Sequence, residues 1–165
     1  MTPDNIRHAT EADLPRIVEI YNSSIPGRRA TAELEPVSVE SRLAWLHGHS
    51  PSRHPLWVCE HEGQIVGWVA LRPFYGRPAY HSTAEISVYL APEAQGKGLA
   101  ARLVDAMMDA CPTLGVKTLL AFVFGHNDAS LKVFERAGFS RWGHLPEVAE
   151  LDTDWRDLVI LGRKV

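Results

Sequence analysis

The chain has 165 residues, 45% of them hydrophobic and 22% charged, which is enough apolar content to close one core and too much for a disordered segment. A formal net charge of −3 and a pI near 6.2 give no basic excess of the kind that nucleic acid or an anionic membrane selects. The opening MTPDNIRHAT lacks the charged-then-apolar order of a secretory signal, and no apolar run reaches bilayer-spanning length. One cytoplasmic domain over residues 1–165 is expected.

NIRHA alternates in part and reads as a first strand. TEAD follows, with Thr10 placed to cap a helix and Asp13 placed to answer it. Leu14, Ile17, Val18 and Tyr21 then recur at helical spacing, and Pro15 is tolerated in a first turn. SIPGRRATAE reads as a loop, and SVESRLAWLHGH as a second helix carrying Leu43 and Leu46. After the breaker PSRHP, LWVCEHEGQIVGWVALRPF reads as a hairpin turning at Glu62 and Gly63. RPFYGRPAYHS is a loop with Gly and Pro. TAEISVYL is the clearest strand, with Ala84, Ile86, Val88 and Leu90 on one face and Glu85, Ser87 and Tyr89 on the other.

A helix beginning after Gly98 carries the stripe Leu99, Leu103, Ala106, Met107 and Ala110, and Pro112 is expected to close it. KTLLAFVF, bounded by Gly115 and Gly125, reads as an apolar strand buried on both faces. NDASLKVFERAG reads as a helix with Asn127 or Asp128 at its cap and Gly138 past its end, and RDLVILGRKV as a last strand. Cys59 and Cys111 lie in apolar runs with no CxxC, which reads as two free buried thiols.

The stretch YLAPEAQGKGLAARLVDAMMDA carries the first chemical signal. Its helix starts directly after two glycines, so backbone N–H groups from Gln95, Gly96, Lys97, Gly98, Leu99 and Ala100 lack partners inside the helix. Glycine lets a ligand approach such a backbone, and the helix N-terminus and Lys97 both favour an anion. The residues do not fit a Walker A loop, which needs four residues between its first glycine and GK and then Ser or Thr. They fit the dinucleotide fingerprint only through its alanine variant, at Ala101, and late in the chain. From the loop alone, a diphosphate cradle and a plain tight turn both remain open.

Together with GHNDASLKVFERAGF, however, the stretch resembles the GNAT family of N-acetyltransferases. Gln95-Gly96-Lys97-Gly98-Leu99-Ala100 matches that family's Q/R-x-x-G-x-G/A coenzyme-A loop, and Asn127, Ser130, Gly138 and Phe139 match its later N-x-x-S…GF segment. The resemblance covers nearly the whole chain. It is most specific to the phosphinothricin and methionine sulfoximine branch, through EIYN at residues 19–22, TAEISVYLAPE, and Trp155 with Asp157 in DTDWRDL.

The resemblance implies a mixed α/β fold, with a central, mostly antiparallel twisted sheet flanked by helices. It also implies acetyl-CoA as cosubstrate and a homodimer. Acetyl-CoA's pyrophosphate would lie on the amides of the Gln95–Ala100 loop, with Asn127 and Ser130 along its pantetheine and nucleotide parts. Backbone groups of Val88 and Leu90 would meet the thioester and pantetheine.

Acetyl transfer needs a neutral amine, a donor for the thioester oxygen, and a proton acceptor. By position Glu85 is either a solvated sheet-face glutamate or that base, and the resemblance implies the base. Phe134 departs from the family, where a tyrosine or, in this branch, a histidine stands; phenylalanine has no proton to give the leaving sulfur. Tyr89 and His126 are the alternatives. An arginine fork suits an acceptor carboxylate, and Arg72, Arg77 and Tyr80, with Thr31 of the early loop beside Arg28 and Arg29, are the substrate-binding candidates. The histidines close no metal-ligand spacing and no GxSxG is present, so no metal is expected. The expected activity is N-acetylation of a small amino-acid-like amine. Acetylation of a peptide or polyamine, and acetyl-CoA binding without transfer, are the alternatives.

Overall fold

In the computed structural model, which describes residues 4–165, the strands are β1 (Asn5–His8), β2 (Leu56–His61), β3 (Gln64–Pro73), β4 (Thr83–Leu90), β5 (Thr118–Phe124), β6 (Ser140–Leu151) and β7 (Asp154–Lys164). The helices are α1 (Leu14–Ser23), α2 (Val39–His47), α3 (Leu99–Leu114) and α4 (Asp128–Arg136). The strands form one sheet of order β1-β2-β3-β4-β5-β7-β6, antiparallel at every pairing except β4 with β5. This is the mixed, mostly antiparallel sheet that the resemblance implied.

Local chemistry explains most boundaries. The β2–β3 hairpin turns at Glu62 and Gly63, both at positive φ (50° and 77°), the mirror-image turn that suits the strand twist. The Thr10 N–H donates to the Asp13 carboxylate at 2.7 Å, closing the entry to α1. Asn127 caps α4 by accepting from the Ser130 N–H at 3.2 Å, worth about 1 kcal/mol.

One expected boundary needs correction, and one strand was not expected. The α3 helix runs through Pro112 to Leu114. In a last turn proline removes one bond only, and the stop is Gly115 at φ 72°, where the Val116 N–H reaches back to the Cys111 carbonyl at 3.0 Å. Strand β6 carries no alternating pattern because it is an exposed edge, broken by bulges between Arg141 and Gly143 and between Leu145 and Ala149, the second spanning Pro146. In α2, Leu46 is buried while Leu43 stands 36% exposed.

The two faces of β4 divide the core. On one, Ala84 and Ile86 are buried, and Leu103 of α3 lies against Gly67 and Leu90. On the other, Tyr89 stacks on Trp68, whose indole N–H donates to the Ile17 carbonyl of α1 at 3.2 Å. Strand β5 is buried along nearly its whole length. Each fully buried Leu or Ile stabilises by about 1.5–3 kcal/mol. Cys59 and Cys111 are free and buried, and burial pushes both thiols up to about 11.

Candidate active site

The parallel ladder between β4 and β5 ends early. It pairs Thr83 with Thr118, Ala84 with Leu119 and Glu85 with Leu120, and then the strands part. On the other edge β4 stays paired with β3 as far as Leu90. Thr83 offers its carbonyl, and Ala91 its N–H, to the β3 side. By the two-residue alternation of a ladder, Val88 and Leu90 then direct their backbone groups toward β5, which has already parted from β4. The Leu90 carbonyl instead receives the Gln95 amide at 3.5 Å.

A cavity of about 910 Å³ opens at this gap. Its walls come from α1, the early loop, α2, the middle of the sheet, the start of α4 and the end of β6. Of the candidate residues, Thr31, Arg72, Glu85, Val88, Asn127 and Ser130 line it. Leu90, the Gln95–Ala100 loop, Arg77 and Tyr80 lie outside the lining. The exposed Arg77 leads into a short turn at Pro78–Tyr80, where the Tyr80 ring packs on Phe74 and Tyr75.

At the far end of β4, Gly96 and Gly98 take φ of 75° and 79°, and a Cβ on either would meet open space. Glycine is needed here for its backbone conformation and not to avoid a collision. The first bond of α3 runs from the Arg102 N–H to the Gly98 carbonyl. The Gln95 N–H turns back to Pro92 at 3.4 Å, so among the described residues the run without a backbone acceptor is 96–101. These amides, with exposed Lys97 beside them, suit a diphosphate.

Glu85 projects to the cavity side of β4 and is gripped by Arg72, its partner across the β3–β4 ladder. The proposed alternative acids have other work. The Tyr89 hydroxyl donates to the Ala30 carbonyl at 3.1 Å, and burial pushes the phenol up. His126 donates to the Arg28 carbonyl at 2.8 Å, and Asn127 to the Arg29 carbonyl at 3.1 Å. Three successive carbonyls of the early loop are thus pinned to the β4 and β5 ends, while the Arg28 side chain pairs with Asp152 of the β6–β7 turn at 2.9 Å. Phe134 is buried against Phe139 and faces the cavity without a proton to offer.

Sequence patterning missed the aromatic wall beside Glu85, on the same face of β4. Tyr21, Trp45, Trp68 and Tyr89 form it, with Arg42 over Tyr21 and Trp45. His49 closes that wall; it donates to the Trp45 carbonyl at 2.9 Å, and burial holds it below the ordinary imidazole range. The one signal available was the i, i+3 spacing of Arg42 and Trp45, which puts both on one face of α2. Among the described residues no group of three or more His, Cys, Asp or Glu could hold a metal ion, and no helix is long and apolar enough to cross a membrane.

The pattern of the acetyltransferase (GNAT) family matches residues 14–139. YwnH of Bacillus subtilis, provisionally named a phosphinothricin acetyltransferase, is 47% identical over 161 residues, covering 97% of this chain and 98% of its own. An L-methionine sulfoximine/L-methionine sulfone acetyltransferase of Pseudomonas paraeruginosa is 31% identical over 161 residues, covering 95% of this chain and 92% of its own. The crystal structure of a phosphinothricin acetyltransferase from Sinorhizobium meliloti in complex with AcCoA superposes with a TM-score of 0.93 at 29% identity, covering 98% of this chain and 88% of that one. With a parted β4–β5 pair, a glycine loop of free amides and these likenesses along nearly its full length, the chain belongs to the acetyltransferase (GNAT) family.

Proposed function

We propose that this protein transfers the acetyl group of acetyl-CoA to the amine of a small acceptor bearing an oxyanion, of the phosphinothricin or methionine sulfoximine kind. The parting of β4 from β5 after Glu85 carries the reading, because it turns free backbone groups and a carboxylate toward one cavity. The amides of residues 96–101 hold the diphosphate, with Lys97 adding charge. Asn127 and Ser130 flank the pantetheine, Leu90 meets it through its backbone, and the Val88 N–H takes the charge that develops on the thioester oxygen. The Arg72 fork holds the Glu85 carboxylate in place, and that carboxylate draws a proton from the acceptor ammonium through a water.

The amine lone pair then bonds to the thioester carbon, and the carbon–sulfur bond breaks. With phenylalanine at 134 the sulfur leaves as a thiolate, which a thiol of ordinary pKa near 8.5 permits. Each turnover yields the acetamide, the CoA thiol and one proton from the original ammonium.

Arg77 and Tyr80 are proposed to touch the acceptor, while Thr31 and Arg72 act on it through Tyr21 and Glu85, which they hold. Arg77 and Tyr80 stand outside this chain's cavity, and we propose that they reach an acceptor across a homodimer. Exposed Leu145, Val148 and Trp155 on β6 and β7 support that dimer. Two free buried thiols support a cytoplasmic setting.

The test is acetyl-CoA-dependent thiol release over phosphinothricin, L-methionine sulfone, a polyamine and an N-terminal peptide. Turnover on the first two is expected. Preference for the polyamine or the peptide replaces the acceptor class. Calorimetric acetyl-CoA binding with no turnover on any amine leaves a binding module.

A further inference from the structure

Among the described residues three arginines line the cavity: Arg29, Arg42 and Arg72. Arg72 is occupied, since both of its hydrogen bonds go to Glu85, at 2.8 and 2.9 Å. Arg29 is exposed, and what holds it is its backbone carbonyl, on Asn127. Arg42 differs from both.

Its guanidinium carbon lies 4.8 Å from the Tyr21 ring centre and 5.9 Å from that of Trp45. The side chain is only 24% exposed. Its carboxylate neighbour is Glu33, which is 48% exposed and touches it once at 3.5 Å, long for a charged hydrogen bond. A guanidinium laid on aromatic rings keeps its in-plane N–H edge available, and that edge fits a carboxylate or phosphinate with two parallel bonds.

The platform beneath it is fixed. The Tyr21 hydroxyl meets the Thr31 hydroxyl at 2.5 Å, and Thr31 is buried. The Tyr21 ring meets Tyr89 at 5.1 Å, and Tyr89 stacks on Trp68 at 4.8 Å. Tyr89 lies on the same face of β4 as Glu85, so the platform and the carboxylate share one wall.

We propose that Arg42 receives an oxyanion of the acceptor, displacing Glu33, with Thr31 as a positioning residue that sets Tyr21 beneath it. The inference rests on reading this cavity as the acceptor site. It assigns a specificity residue on α2, and it does not depend on a second subunit.

Four amines test it: phosphinothricin, with two oxyanions; norvaline, with the carboxylate alone; 3-aminopropyl(methyl)phosphinate, with the phosphinate alone; and butylamine, with neither. Each is titrated by calorimetry into CoA-saturated wild type, Arg42→Gln and Arg42→Lys, and assayed for turnover in parallel. Arg42→Gln is expected to weaken phosphinothricin binding about 10- to 100-fold, the scale of a lost charged hydrogen-bond pair, with butylamine and acetyl-CoA affinity unchanged. Arg42→Lys should recover part of the loss, because it keeps the charge and loses the fork. A matching loss for norvaline identifies the carboxylate as the group held, and one for the aminophosphinate identifies the distal head.

A change below about threefold for phosphinothricin, or an equal loss for butylamine, overturns the proposal. If Arg42→Gln does not fold, the partial loss in Arg42→Lys carries the test. Because binding is read without catalysis, absence of turnover in wild type counts against acetyl transfer and leaves the Arg42 comparison intact.

Discussion

Arg72 and Glu85 face each other as register partners across the β3–β4 ladder, joined by two hydrogen bonds of 2.8 and 2.9 Å. The carboxylate is 13% exposed and the guanidinium side chain 62% exposed. The acid therefore lies inward, by the cavity, with its charge balanced from the solvent side. Strand pairing sets this arrangement, so it does not depend on a mobile loop.

Replacing Glu85 with Gln is expected to lower the acetylation rate about 10²- to 10⁴-fold, the scale of a lost positioned base, while acetyl-CoA binding survives. Arg72→Met, which releases the carboxylate from its orientation, should cost less. The two residues act as one unit, so the double variant should be no slower than Glu85→Gln alone. Steady-state kinetics of the three variants decide this; multiplicative losses would separate the residues' roles.

Gly98→Asp puts a negative charge among the free amides of residues 96–101, at a φ of 79° that a side chain rarely adopts. Acetyl-CoA affinity should fall at least about tenfold, the scale of one lost charge-assisted contact. Gly98→Ala, whose Cβ meets open space, should lose far less affinity and show its cost in stability. Calorimetry and thermal melting on the folded variants separate the two effects. Equal affinity for wild type and Gly98→Asp would move the diphosphate elsewhere.

Asp13 makes hydrogen bonds of 2.8 and 2.9 Å with Arg7, which holds its carboxyl below the ordinary range. A carboxylate with a depressed folded pKa contributes stability that is complete above its unfolded value, near 3.9, and is lost as pH falls through the folded value. Asp13→Asn should therefore destabilise the protein by about 1–3 kcal/mol at pH 7. The difference from wild type should shrink as pH falls from about 4 through the depressed folded value, because wild type then loses an interaction that the Asn variant lacks at every pH. Urea unfolding at pH 7, 5 and 3 reads the effect, and a pH-independent difference would trace it to packing.

Leu145→Glu places a charge on an exposed apolar position, 42% accessible, of the β6 edge. In the proposed homodimer it should shift sedimentation toward the monomer without lowering the melting temperature of the chain. If Arg77 and Tyr80 act across that interface, activity should fall in parallel with dissociation. A monomeric wild type of full activity would remove the dimer and its cross-subunit contacts together.

Features that depend on neighbours in the chain were legible in the sequence. The glycines before Leu99, the Asn127 cap with Ser130, the Thr10–Asp13 closure and the facing of Glu85 are matters of a few residues, because backbone hydrogen bonds and strand alternation act at that range. Sequence spacing placed Glu85 on the face opposite Ala84 and Ile86 and set two glycines directly before the start of α3. Only the tertiary structure could decide where β4 leaves β5, since that depends on strands 35 residues apart in register, Glu85 with Leu120. It also decided that Arg42 lies on Tyr21, that Arg72 grips Glu85 and that three early-loop carbonyls hang from Tyr89, His126 and Asn127. These are side-chain meetings between distant segments, and no local periodicity encodes them. Strand β6 was silent for a related reason: an edge strand buries too little on either face to impose an alternating pattern on its residues.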